Sequence, residues 1–221
     1  MDFLVHKLID SSQAKSCIES IQEDQGLWES GKKTAGSHAS LVKNNLQLKR
    51  DSEISVRNST VISKAIRANE LIKSFTLPRK IHGIMFSKSS AGQGYGMHID
   101  NAYMSSGRSD LSFTLFLSDP KDYEGGELAI QTLQETKRIK LPQGHIVIYP
   151  STSIHSVEEV KSGIRFVCVG WIHSYVASNE DRNSLFNLDA GARAILAKHG
   201  RTAEVDLLFQ SYSNLLRRLG D

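Results

Sequence analysis

The sequence predicts a mainly β fold, a double-stranded β-helix (jelly-roll) core with helices before it and a helical tail after it. Between Arg79 and Trp171, seven short runs rich in β-branched and aromatic residues are separated by turn signals. Several short strands at such spacing make a sandwich or barrel. On both sides of that block the apolar residues recur at helical rather than alternating spacing. The 221 residues suffice for one domain with a full core and some additions.

From Ser11 to Gln25, SSQAKSCIESIQEDQ offers a Ser cap followed by apolar or small residues at helical spacing, which predicts a short helix. The following LWESGKKTAGSHASLVKNNLQL mixes Gly, Ser and Asn with single apolar residues and reads as loop and short strands. NSTVISKAIRANELIKSF, from Asn58, sets Val61, Ile62, Ala65, Ile66, Ala68, Leu71 and Ile72 at helical spacing, with Pro78 beyond as a stop. The strand runs are KIHGIMFS, YGMHID, LSFTLFLS, GELAIQT, RIKLP, HIVIYP and IRFVCVGWI. Gly125-Gly126 predicts a tight turn with positive φ leading into GELAI, not a phosphate cradle. From Ser178 helical periodicity returns in DRNSLFNLDAGARAILAKHG and EVDLLFQSYSNLLRRLG, parted by Gly200. The expected organisation is a catalytic domain at 1–177, with its β core at about 79–173, and a helical extension at 178–221.

Composition bounds the partners. The 27 basic residues are scattered among 24 acidic ones, for a net charge of +3, which argues against a nucleic-acid partner and hints at an anionic ligand. Arg217-Arg218 fits the last turn of a helix, where cations favour the dipole. Cys17 and Cys168 are too few for a disulfide framework or a multi-cysteine zinc site, and Cys168 sits in an apolar run that suits a buried thiol. A reducing compartment follows. The N-terminus MDFLVHKLIDSSQ shows no signal-peptide pattern, and no stretch reaches the ~18 apolar residues of a membrane span. A cytoplasmic protein with no membrane partner is expected.

The chemistry is carried by a few residues. His98 and Asp100 are two apart, so on an extended backbone they project from one face, although H-x-D also arises by chance as a hydrogen-bonded surface pair. His155, between the apolar strand HIVIYP and the next, supplies a third ligand. Two imidazoles and a carboxylate leave open positions on a metal, the arrangement of mononuclear iron(II) oxygenases, with three-ligand zinc as the competitor. Alternation in IRFVCVGWI puts Arg165 on the face of Val167, Val169 and Trp171, opposite Ile164, Phe166, Cys168 and Ile172. Either it pairs with Glu158 or Glu159 at a solvent-facing strand end, or its planar fork binds a carboxylate. Tyr95, Thr114, Leu128 and Trp171 are candidates for pocket walls or plain core. His82, His145 and His173 read as structural.

The segments TAGSHASLVKNNLQL, GMHIDNA, DLSFTLFLSDPKDYEGGEL, KLPQGHIVIYPSTSIHSV, GIRFVCVGWIHS and the terminal LLRRLG resemble the PKHD-type hydroxylases, a bacterial branch related to prolyl 4-hydroxylase catalytic domains. The resemblance covers nearly the whole chain. It implies iron(II) on His98, Asp100 and His155, with Arg165, ten residues beyond the distal His, as the 2-oxoglutarate anchor. It further implies that 2-oxoglutarate and O2 are consumed, that succinate and CO2 are released, and that L-ascorbate serves as reductant. The substrate it suggests is a prolyl or other peptidyl residue, or a small molecule. Another jelly-roll metalloenzyme that needs no 2-oxoglutarate, and a non-catalytic sensor, are the rival readings. The apolar stripes of the helical tail fit a cover for the barrel mouth, substrate selection or a homodimer contact.

Overall fold

The computed structural model describes residues 3–34, 36 and 39–221. The N-terminal part supplies β1 (Leu4–Lys7), α1 (Ser11–Gln22), β2 (Trp28–Ser30), β3 (Lys43–Asn44), β4 (Leu46–Leu48), α2 (Glu53–Ala68) and α3 (Glu70–Thr76). The block after them holds β5 (Pro78–Ser90), β6 (Gly94–His98), β7 (Tyr103–Met104), β8 (Gly107–Arg108), β9 (Leu111–Phe116), β10 (Tyr123–Gly125), β11 (Leu128–Gln131), β12 (Thr136–Ile139), β13 (His145–Pro150), β14 (His155–Val157) and β15 (Val160–Ser174). Helices α4 (Asn179–His199) and α5 (Ala203–Leu219) end the chain.

Among the described residues the larger sheet runs β1-β13-β9-β15-β5-β4-β2, with β10 added beside β15, and the smaller runs β12-β11-β14-β6-β3. A separate β7-β8 hairpin completes the set. The residues of β9 are all buried, because each face of that strand meets a different core. Its Leu111, Phe113 and Leu115 pack with Ala14, Cys17, Ile21, Ile62, Ile66 and Phe75 of the N-terminal helices. Its other face belongs to a second core, where Phe116, Val147 and Val167 of the larger sheet meet Leu128, Ile130 and Ile139 of the smaller. Two sheets closed over an apolar interior, with helices on the outer face of one, make the expected double-stranded β-helix. In β15 alternation sorts the residues as read: Phe166, Cys168 and Ile172 join the helix-side core, while Arg165, Val167, Val169 and Trp171 face inward.

Several boundaries depart from the sequence reading. Helix α1 is capped by Asp10, not by a Ser, because Asp10 and Gln13 form a reciprocal capping box. The helix expected from Asn58 starts earlier, at Glu53, where the Ser52 hydroxyl accepts from the Ser55 N–H at 3.2 Å. It also breaks in two at Asn69, whose extended backbone and side-chain bond from the Ile72 N–H (3.0 Å) cap α3. Strand β1 was not legible: its four residues pair only with the edge of β13. RIKLP yields a strand only up to Ile139. The tail divides as expected, with Gly200 at φ 72 after α4 and Thr202 capping α5. Arg217 and Arg218 lie in its last turn. Cys17 and Cys168 are free and buried. Among the described residues no helix is long and apolar enough to cross a membrane.

Candidate active site

Strand pairing builds the site. In the smaller sheet β14 runs antiparallel to β6, with His155 opposite His98, so the two imidazoles stand side by side with centroids 4.2 Å apart. Asp100 follows two residues after His98, and its Oδ2 lies 3.8 Å from His155 Nε2. One potential ligand atom from each of the three falls within 4.8 Å of the others, a set that could hold a metal ion.

The surroundings leave these groups able to act as ligands. Nδ1 of His98 bonds the Gly96 carbonyl oxygen at 2.8 Å, and Nδ1 of His155 bonds that of Ser153 at 3.0 Å. A carbonyl only accepts, so each Nδ1 carries the proton and each Nε2 presents a lone pair. Burial, then the neighbouring His155, push His98 down to about 4, so it is neutral at pH 7. Tyr95 stacks on His98 at 3.6 Å, and Tyr149 meets His155 edge-on at 5.1 Å. The Ser112 hydroxyl donates to Asp100 Oδ2 at 2.5 Å and is itself bonded to Ser151, which fixes the carboxylate.

The triad opens on a cavity of about 120 Å³ between the sheets. Arg165 reaches into it from β15 and is only 2% exposed. The surface pairing weighed for it is absent: Glu158 pairs instead with Arg138 at 2.6 Å. Among the described residues its Nε and Nη2 have no hydrogen-bond partner. Burial pulls the guanidinium below its ordinary value, against the opposing influence of Tyr123, Tyr149 and Glu127. Gly126, at φ 68, makes room for it, since a Cβ there would fall 2.9 Å from Arg165 Cδ. The positive φ expected at Gly125-Gly126 thus serves the cavity as well as the turn.

Tyr95, Thr114, Leu128 and Trp171 all line the cavity. Of the histidines read as structural, His82 is held by Ser106 Oγ (2.8 Å) and the Arg108 carbonyl (2.9 Å), away from the triad. Sequence reasoning missed a polar wall made by Thr34, Lys43, Asn45, Gln47 and Ser87. The missed signal was alternation in KNNLQ, where Lys43, Asn45 and Gln47 share a parity.

The 2OG-Fe(II) oxygenase superfamily model matches residues 84–173, and the PKHD-type hydroxylase C-terminal domain model matches residues 179–221. A PKHD-type hydroxylase of Prochlorococcus marinus strain SARG is 70% identical over 220 residues, and one of strain MIT 9211 is 63% identical over 221, with 100% of each chain covered. In fold, the chain is similar to a Pseudomonas putida prolyl-4-hydroxylase at 16% identity and TM-score 0.55, covering 78% of this chain and 92% of that one. A Trichoplax adhaerens prolyl hydroxylase, solved with a hypoxia inducible factor peptide, gives 14% identity and TM-score 0.60 over 83% and 86%. With full-length relatives this similar and both parts of the chain matched, the protein belongs to the PKHD-type hydroxylases of the 2OG-Fe(II) oxygenase superfamily.

Proposed function

We propose that the chain binds iron(II) through His98, Asp100 and His155, anchors 2-oxoglutarate on Arg165, and hydroxylates a second substrate held in the same cavity. The observation that carries this reading is a buried guanidinium with unpartnered donors opening on the cavity of a two-histidine, one-carboxylate cluster. Neutral imidazoles and a fixed carboxylate suit a divalent cation and leave positions open for a chelating co-substrate. A guanidinium with unpartnered N–H groups on Nε and Nη2 suits a terminal carboxylate, which accepts two parallel hydrogen bonds. Bound there, the metal and 2-oxoglutarate would supply oxidative chemistry that consumes O2, releases succinate and CO2 and converts a substrate C–H to C–OH.

The chain's own work is positional. Ser112 orients Asp100, the Gly96 and Ser153 carbonyls orient the imidazoles, and Tyr95, Tyr149 and Val167 exclude water around them. L-ascorbate is the proposed reductant for metal that has become oxidised. A prolyl or other peptidyl residue is proposed as substrate by analogy with the two prolyl hydroxylases, alongside a small molecule. The two buried free thiols favour a reducing compartment such as the cytoplasm. We take residues 1–177 as the catalytic unit and 178–221 as an extension whose exposed Leu207 and Leu215 suit substrate selection or a homodimer contact. The test is Asp100→Ala: iron(II) stoichiometry and succinate formation should both collapse, and a variant that retains both would show that the carboxylate ligand lies elsewhere.

A further inference from the structure

The cavity holds a second buried cation. Lys43 lies on β3, the edge of the smaller sheet, directly opposite Tyr95 of β6, and is 6% exposed. Its stem runs beside Gly31, where a Cβ would come within 3.0 Å of Lys43 Cε. Among the described residues Nζ has one hydrogen-bond contact, Thr34 Oγ1 at 3.4 Å, and stands 4.9 Å from the Tyr95 ring centroid, with no carboxylate paired to it. A buried ammonium with so little compensation calls for a counter-charge. Burial lowers Lys43 to about 8, with Asp100 opposing that shift. Asp100 is the one carboxylate among the described residues that line the cavity.

The charge balance extends the co-substrate reading and rests on it. Iron(II) and Arg165 are offset by Asp100 and the two carboxylates of 2-oxoglutarate, and Lys43 is left over. It also sits on a different wall from Arg165: Lys43 is on β3 of the smaller sheet and Arg165 on β15 of the larger. Two residues along, Asn45 is 8% exposed and lines the same cavity; its Nδ2 donates to Ser87 Oγ at 2.6 Å while its Oδ1 packs against Gly31.

We propose that Lys43 is the specificity-determining residue for the primary substrate, pairing with a carboxylate on it. The carboxylate can belong to a small N-acylated acid or to an acidic side chain in a polypeptide, and two matched probe pairs separate these sources. One pair is N-acetylglycine and N-acetylglycinamide; the other is acetyl-Gly-Glu-Gly-amide and its Gln counterpart. Each is titrated into the anaerobic iron(II)–2-oxoglutarate complex while its visible charge-transfer band is followed. In at least one pair the acid should shift the band saturably and bind at least about tenfold more tightly than its amide twin, as expected for a charge-assisted bond. A response from the first pair assigns small acids; a response from the second assigns polypeptides.

Lys43→Met should abolish the preference and leave iron and 2-oxoglutarate affinity within about twofold, since it keeps the stem and removes only the charge. Acids and amides that act alike overturn the proposal, as does a preference retained in Lys43→Met, which would mean binding to the metal. Weakened 2-oxoglutarate binding in that variant also overturns it, by moving Lys43 to the co-substrate. The wild-type comparison decides the matter even where the variant does not fold. A missing band in wild type before any probe is added is a failure of the cofactor reading itself, and the proposal falls with it.

Discussion

Arg165→Met isolates the proposed co-substrate anchor, because methionine keeps an apolar stem in the place of the guanidinium. The wild-type side chain is 2% exposed, and its Nε and Nη2 have no partner among the described residues. A carboxylate arriving there gains two charge-assisted hydrogen bonds, each worth about 1.5–3 kcal/mol. Taking the lower figure for each, the variant should lose about 3 kcal/mol of 2-oxoglutarate binding, roughly a hundredfold in Kd. Stability should respond differently. Replacing an uncompensated buried charge with an apolar side chain is neutral or stabilising, so the Tm of the ligand-free protein should not fall. Anaerobic titration of the iron(II)-loaded protein with 2-oxoglutarate measures the first effect, and a thermal melt the second. A Kd within about threefold of wild type, with iron still bound, would refute the assignment of Arg165. A lowered Tm with unchanged Kd would recast it as a structural residue.

Two further perturbations probe the support of the site and of the fold. Ser112→Ala removes the donor that fixes Asp100, and metal affinity should fall about 10–100-fold by competition titration with a chelator; unchanged affinity would mean that the carboxylate is oriented without it. His82 is held below its ordinary imidazole value, chiefly by burial. The folded state therefore binds a proton less readily than the unfolded chain, and stability is complete above about pH 6.5 and declines as the pH falls below it. His82→Gln should flatten that decline in urea midpoints measured between pH 7 and pH 5, and an equally steep decline in the variant would assign it to other groups.

The catalytic half of the molecule was legible because its chemistry sits on regular strands. Once β15 is seen as a strand, period-two alternation sends Arg165 inward and Phe166 toward the helices without further information. His98 and Asp100 share a face for the same reason, and His155 is placed by the pairing of β14 with β6. The sequence could not show whether Arg165 meets a glutamate, because Glu158, just after β14, is taken by Arg138 of β12, two strands away in the smaller sheet. Lys43 was hidden for a related reason. Its segment reads as loop and short strands without fixed bounds, and its inward direction comes from long-range pairing with Tyr95. The break at Asn69 escaped notice because the apolar spacing runs through it, and only the side-chain cap on Ile72 ends one helix and starts the next.

The most direct test of the account is anaerobic addition of iron(II) and 2-oxoglutarate to the purified protein, followed by O2. The account predicts a weak visible metal-to-ligand charge-transfer band that needs both components, then loss of 2-oxoglutarate and appearance of succinate on oxygenation. Iron bound at His98, Asp100 and His155 without that band, and without succinate, would contradict it.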